Sequence, residues 1–199
     1  YLATGAWQSS PLRIPGEDLE GVLVGTEFLA SAEKGEPQKV GDRVVVIGGG
    51  NTAVDAARTA LRRGAREVTI LYRRSREEMP AEAHEIAAAE EEGIGIHLLA
   101  APKRCLGGDG RLERLEYLEM ELGEPDASGR RRPVPIEGSE KIMDSDTLIV
   151  AVGQRADLGW IPDAERREDA ARAEAAAAEA APVMPSVEGQ LAVAPAEEK

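Results

Sequence analysis

The run Arg43-Val44-Val45-Val46-Ile47 passes without a spacer into Gly48-Gly49-Gly50, and then into an alanine-rich amphipathic segment. This junction constrains the fold more than any other feature of the chain. Five residues dominated by β-branched side chains read as a buried parallel strand. Residues 51–63 read as a helix, because Ala53, Val54, Ala57, Ala60 and Leu61 share one face while Asp55, Arg58 and Arg62 lie on others, with Gly64 as the stop. The pattern then repeats. Residues 67–72 read as a strand, residues 80–92 as a helix opened by Pro80 and closed by Gly93, and residues 94–99 as a third strand. Strand, helix, strand, helix, strand in this order gives a parallel sheet with helical crossovers.

The pattern changes after residue 100. Residues 102–106 and 112–122 alternate loosely around Gly107-Gly108-Asp109-Gly110, a hairpin signal. Residues 123–138 read as a polar loop carrying Arg130-Arg131-Arg132. Residues 146–152 read as a last buried strand ending at Gly153-Gln154. At the other end, residues 1–6 read as a strand end running into a turn, and residues 9–21 as loop. Residues 22–32 read as a short helix and residues 33–41 as a polar linker. The alanine-rich stretch 164–181 has high helix propensity but only alanine on its apolar face, so it reads as a surface helix or helical linker. Residues 182–199 read as loosely ordered. The expected class is α/β: a Rossmann-like three-layer domain with a parallel sheet, a crossover β-hairpin and helices.

Charge and cysteine content narrow the functions available. With 24 basic and 37 acidic side chains the net charge is −13, which disfavours nucleic acid and anionic membrane surfaces as partners. The single cysteine, Cys105, excludes an internal disulfide and an all-cysteine metal or iron–sulfur site, and points to a reducing, cytoplasmic compartment. His84 and His97 sit on different elements with no further ligand beside them. They read as structural, and no metal site is expected. Cys105 reads as a small core residue. Asp55 is placed to tie down Arg58 or a neighbouring loop.

Gly48-Gly49-Gly50-Asn51-Thr52-Ala53 matches G-x-G-x-x-A in the context that gives the match meaning, after a strand and opening a helix. Gly48 permits the tight turn, Gly50 lets the backbone approach a pyrophosphate, and Ala53 lets helix and strand pack closely. The anion would sit on free N–H groups at the helix N-terminus, with Gly48, Gly50, Asn51 and Thr52 holding the pyrophosphate and Gly49 counted with them as cofactor-binding. No G-K-S/T follows, so the turn is not a P-loop. A Gly-rich turn without ligand is the plainer alternative. At the end of the second strand, where an NAD or SAM site would place an acid, stands Arg73-Arg74-Ser75-Arg76. Guanidinium groups with a hydroxyl suit a 2′-phosphate, so NADPH is expected over NADH. A SAM-dependent transferase is disfavoured by the same residues. A solvated basic turn paired with Glu77 and Glu78 is the structural alternative, as is a solvated loop for Arg130-Arg131-Arg132.

Residues 48–58 and 72–81 closely resemble the NADPH-binding domain of the glutamate synthase small subunit family, which also includes flavin modules of dihydropyrimidine dehydrogenase and of ferredoxin–NADP transhydrogenases. The resemblance covers roughly residues 1–157. It implies an NADPH domain inserted within an FAD domain, hydride transfer from NADPH to FAD, and electrons leaving through an iron–sulfur partner or subunit. Leu2-Ala3-Thr4-Gly5 and Val150-Ala151-Val152-Gly153-Gln154 would then be the two crossovers between domains, with Gly153 and Gln154 near the nicotinamide. The implied division is 1–40 as boundary strand and linker of an FAD-type domain, 41–157 as the NAD(P)H-binding domain, and 158–199 as tail. FAD is expected in the parent protein only, held by segments outside this chain. The chain alone is expected to bind NADPH without turnover and to use no side chain as acid or base. A non-catalytic nucleotide-binding or assembly module is the alternative.

Overall fold

A computed structural model describes residues 5, 6, 8–36, 38–126 and 129–156. The expectations for residues 1–4 and for the segments 164–181 and 182–199 lie outside them. The apolar strands form one parallel sheet: β2 (Val22–Val24), β3 (Arg43–Ile47), β4 (Glu67–Tyr72), β5 (Gly95–Leu98) and β10 (Thr147–Val150), in the order β2-β10-β3-β4-β5. Helices α1 (Gly25–Glu33), α2 (Asn51–Arg62) and α3 (Ala83–Glu91) link them. Among the described residues, no helix is long and apolar enough to cross a membrane.

Strand alternation divides the core in two, because successive side chains point to opposite faces. Val44, Val46, Val68, Ile70 and Ile149 pack with Phe28, Val54, Ala57, Ala60 and Ile86 of the helices. Val45, Ile47, Leu71, Leu148 and Val150 face the other way, onto Ala100, Cys105, Leu112, Leu115 and Tyr117. The third layer is therefore an antiparallel sheet rather than helices. It comprises β6 (Ala100–Gly108), β7 (Arg111–Pro125), β8 (Arg131–Pro135) and β9 (Lys141–Asp144). The β6–β7 hairpin stands where expected and runs longer, turning at Asp109 (φ +52°) and Gly110 (φ +78°).

Two segments differ from their sequence reading. Residues 22–32 do not form one helix. Val22–Val24 becomes the sheet's edge strand by pairing with Leu148–Val150, and the helix begins only at Gly25. Residues 123–138 are not a plain loop. Arg131–Pro135 is β8, with Pro133 opposite Leu122 and Pro135 opposite Met120. Proline lacks a donor, so it signals loop in a sequence, yet a strand at a sheet edge tolerates it. β9 pairs with Arg114–Tyr117 of β7, and its four residues carry no strand signal of their own. Arg58 bonds Glu85 at 2.5 Å and Glu92 at 2.7 Å, both beyond its own helix, and so ties α2 to the α3 region, while Asp55 lies near enough to favour its charge without a hydrogen bond.

The segment before β2 fastens the layers together. The Glu17 carboxylate accepts the N–H groups of Leu12 and Arg13, both at 2.7 Å, and the Cys105 N–H donates to the Pro15 carbonyl at 2.9 Å. Gly16 (φ +79°) lies so close to the Cys105 backbone that a Cβ there would meet its carbonyl oxygen at 2.5 Å. β1 (Gln8–Ser9) pairs antiparallel with β11 (Gln154–Arg155), which sets residues 8–10 beside residues 153–155. Cys105 is buried, and burial pushes its thiol up to about 11, with Glu17 and Asp18 adding to the effect. At pH 8 only about a thousandth of the thiol is then ionised, and the thiolate is the reactive form. Alkylation of the native chain by iodoacetamide at pH 8 is therefore expected to be far slower than in urea. Equal rates would show the site open.

Candidate functional site

The chain reaches β3 and passes through β4 to β5 on one side, then returns to β10 on the other side of β3. The strand order thus reverses between β3 and β10, and the Gly-rich turn leaves β3 at that point. In open α/β sheets this is where ligands bind. The turn is tightly confined on the protein side. Gly48 (φ +143°) donates its N–H to the Leu71 carbonyl at 3.1 Å, and a Cβ there would collide with the Ala151 carbonyl oxygen and press on Ala53 Cβ at 3.2 Å. A Cβ on Gly49 would strike the Tyr72 ring at 2.5 Å. Gly50 differs: only Pro80 Cγ lies within 4 Å of its Cβ position, at 3.8 Å.

Past that open position the helix start is bare. Gly50 is the N-cap residue of α2 and supplies no side-chain cap, and the first turn holds no acidic residue. The N–H groups of Ala53 and Val54 turn back to the Gly50 carbonyl, whereas those of Asn51 and Thr52 donate to no acceptor among the described residues. Asn51 Oδ1 accepts the Glu82 N–H at 3.0 Å and the Gly49 carbonyl accepts that of Ala81 at 3.1 Å, which pins the loop after β4 against the turn. Unused donors and the positive end of the helix dipole together favour an anion.

The arginine cluster stands at the end of β4, the strand beside β3, but its members do different things. Arg74 is 3% exposed: its Nη2 bonds Asp126 Oδ2 at 2.6 Å, and its Nε donates to the Arg131 carbonyl at 2.9 Å. Arg76 makes a bidentate pair with Glu90, both contacts 2.6 Å. Ser75 forms a capping box with Glu78 and also donates to Glu77 at 2.5 Å. Arg73 is half-buried and makes no side-chain hydrogen bond or ion pair among the described residues. Burial, and after it Arg74 and Arg130 nearby, hold its pKa below the ordinary arginine value. Tyr72 and Asp126 offset part of that effect, and a bound phosphate would relieve the remaining desolvation.

Gly153 and Gln154 lie exposed just past β10, the strand on the other flank of β3, and the Gly153 carbonyl accepts the Ser10 N–H at 3.0 Å. Beside them a cavity of about 590 Å³ opens, lined among others by Ser9, Thr26, Val24, Val150 and Arg155. His97 packs edge-on against Tyr117 with ring centroids 5.0 Å apart, and His84 is exposed. Sequence reasoning missed two parts of this region. Tyr72 lays its ring under Gly49 and donates its hydroxyl to the Glu78 carbonyl at 2.7 Å. Asp126 was read as loop; an acid three residues before Gly129 marks a turn, and nothing local announces its arginine partner.

The sequence matches the family described as pyridine nucleotide-disulphide oxidoreductase over residues 1–173. The chain belongs to the pyridine nucleotide-disulphide oxidoreductase family. Within that family it is 50% identical over 167 residues to the NADPH-Fe(3+) oxidoreductase subunit beta of Geobacter sulfurreducens, covering 82% of this chain and 25% of the relative. It is 37% identical over 174 residues to the glutamate synthase (NADPH) small chain of Escherichia coli, covering 81% and 37%. The chain thus spans a quarter to about two fifths of the length of these relatives. Among solved structures, Mycobacterium tuberculosis FprA in complex with NADPH superposes with a TM-score of 0.66 at 23% identity, covering 78% of this chain and 49% of that one. That likeness shows the Rossmann-like fold of the family. The resemblance to the glutamate synthase small subunit holds, and the relatives of this family member are oxidoreductase subunits.

Proposed function

We propose that the chain is the NADPH-binding module of a flavin-dependent oxidoreductase, and that it delivers the nicotinamide to an FAD held by sequence outside it. The observation that carries this reading is the uncapped N-terminus of α2 behind Gly50, at the strand-order reversal, with an unpaired Arg73 one strand away. Asn51 and Thr52 would donate their N–H groups to the pyrophosphate. Arg73 would take the 2′-phosphate, and the cavity beyond β10 would accept the nicotinamide half near Gly153 and Gln154. The residues present fit a dinucleotide: Gly48 and Gly49 have no room for a side chain, whereas the space before Gly50 is open. The nicotinamide, when bound, supplies a hydride to the flavin, as the cofactors' own chemistry requires. This chain's residues contribute position, not acid–base catalysis.

The pairing of β1 with β11 supports the inserted-module reading, because it brings the two connections side by side. The names of the relatives support partner subunits, and an iron–sulfur partner is part of the same proposal. Titration of the chain with NADPH and NADH tests the reading. NADPH is expected to bind more tightly, and Arg73→Ala to weaken it by about 1.5–3 kcal/mol, the range for hydrogen bonds to charged groups, with NADH unchanged. Equal affinities in the parent chain would remove the basis for NADPH.

A further inference from the structure

Two glycines bring a second helix start to the site. Gly25 opens α1 so close to the end of β10 that a Cβ there would meet the Val150 carbonyl oxygen at 2.9 Å and Ala151 Cβ at 3.3 Å. Gly48, in the turn after β3, faces the carbonyl of the same Ala151. Ala151 therefore sits between the Gly-rich turn and the start of α1. A ligand whose pyrophosphate lies before Gly50 continues past β10 onto α1, because β10 and then β2 follow β3 on this side of the sheet. The cavity of about 590 Å³ lies there. Val24 and Val150, partners in register, end its two strands, and Thr26 and Ala30, one turn apart on α1, both line it. Two of its polar groups are bonded to each other. Ser9 Oγ and Thr26 Oγ1 stand 2.8 Å apart, and neither hydroxyl has another partner among the described residues. One hydrogen lies between them, so the pair keeps one further O–H donor and unfilled acceptor lone pairs. A primary carboxamide needs that set in return: a donor for its carbonyl oxygen and an acceptor for its amide hydrogens. The carboxamide is also the hydrogen-bonding part of a nicotinamide. Ser9 comes from β1 and Thr26 from α1, so only the folded chain assembles the pair.

We propose that the Ser9–Thr26 hydroxyl pair is the carboxamide anchor of the nicotinamide, and that it fixes how the ring lies at the end of β10. The inference rests on the NADPH reading and adds to it the two side chains that recognise the reactive half of the cofactor. Both bind and orient; neither moves a proton.

Calorimetric titration of the 199-residue chain with NADP+ and with 2′-phospho-ADP-ribose, which carries the same phosphates without the nicotinamide, tests it. The unmodified chain is expected to bind NADP+ the more tightly. Thr26→Val keeps the branched shape and removes the hydroxyl. It is expected to raise Kd for NADP+ about fivefold and to leave that for 2′-phospho-ADP-ribose unchanged, with Thr26→Ser restoring the original value. If Thr26→Val fails to fold, Ser9→Ala takes its place with the same expectation. A pair that only ties β1 to α1 would lower the melting temperature and leave the ratio of the two Kd values as it was. An unchanged ratio, or equal affinities of the unmodified chain for the two ligands, overturns the anchor while the NADPH reading stands. Failure of the unmodified chain to bind either ligand overturns both.

Discussion

Gly50→Val is expected to leave the chain folded and to remove its affinity for both NADPH and NADH, by about 100-fold or more, equal to at least about 2.7 kcal/mol. The fold should tolerate the side chain for two reasons. The residue has φ −92° and ψ 176°, extended backbone that any residue adopts, and its Cβ position meets nothing nearer than Pro80 Cγ at 3.8 Å. Its place as N-cap limits the cost to about 1 kcal/mol, since neither residue supplies a capping oxygen. The branched side chain would instead occupy the space through which a pyrophosphate reaches the Asn51 and Thr52 N–H groups. Both nucleotides share that group, so both should be lost together. The measurement is a fluorescence titration beside a thermal melt. Gly48→Val is the control: it meets the Ala151 carbonyl at a φ of +143° and should not fold. Normal binding by folded Gly50→Val would reduce the turn to a structural one.

Arg74→Ala is expected to destabilise the chain by about 3–5 kcal/mol, because it leaves a buried carboxylate without its cation. The Arg74 and Asp126 side chains are 3% and 6% exposed, so water cannot replace the lost partner. For a domain of this size the loss corresponds to a fall in Tm of roughly 6–20 °C. Removing both partners, as Arg74→Ala with Asp126→Ala, should cost less than the sum of the single changes, because neither charge is then stranded. Thermal and urea unfolding of the four proteins closes the cycle. Additive losses would show that the two side chains do not act as a pair. By contrast, Arg76→Ala breaks an exposed pair with Glu90, and exposed pairs are worth at most about 1 kcal/mol.

The difference between Arg74 and its neighbours marks the boundary of what the chain's order of residues shows. The strands over 43–47 and 67–72, the helix from Asn51, the hairpin around Gly110 and the Gly-rich turn were all legible, because each is written in adjacent residues: β-branched runs, a 3.6-residue apolar period, glycine where a turn demands it. The last parallel strand was legible for the same reason. Its place beside β3 was not, since nothing in Thr147–Val150 states which strand it joins.

β8 escaped notice because its two prolines argue against strand locally, while only the presence of β7 makes an edge available to them. β2 escaped because three residues are too few to show a period, and pairing with β10 alone makes them a strand. In the candidate site the sequence by itself determined that a glycine without a side chain opens α2 and that guanidiniums follow β4. Tertiary structure decided which guanidinium is available. Arg73, Arg74 and Arg76 are chemically equal in the chain, and they become unequal because Asp126 and Glu90 arrive from elements distant in sequence. Local patterns record how a segment is buried; the partner of a charge depends on which distant segment the packing brings within about 3 Å of it.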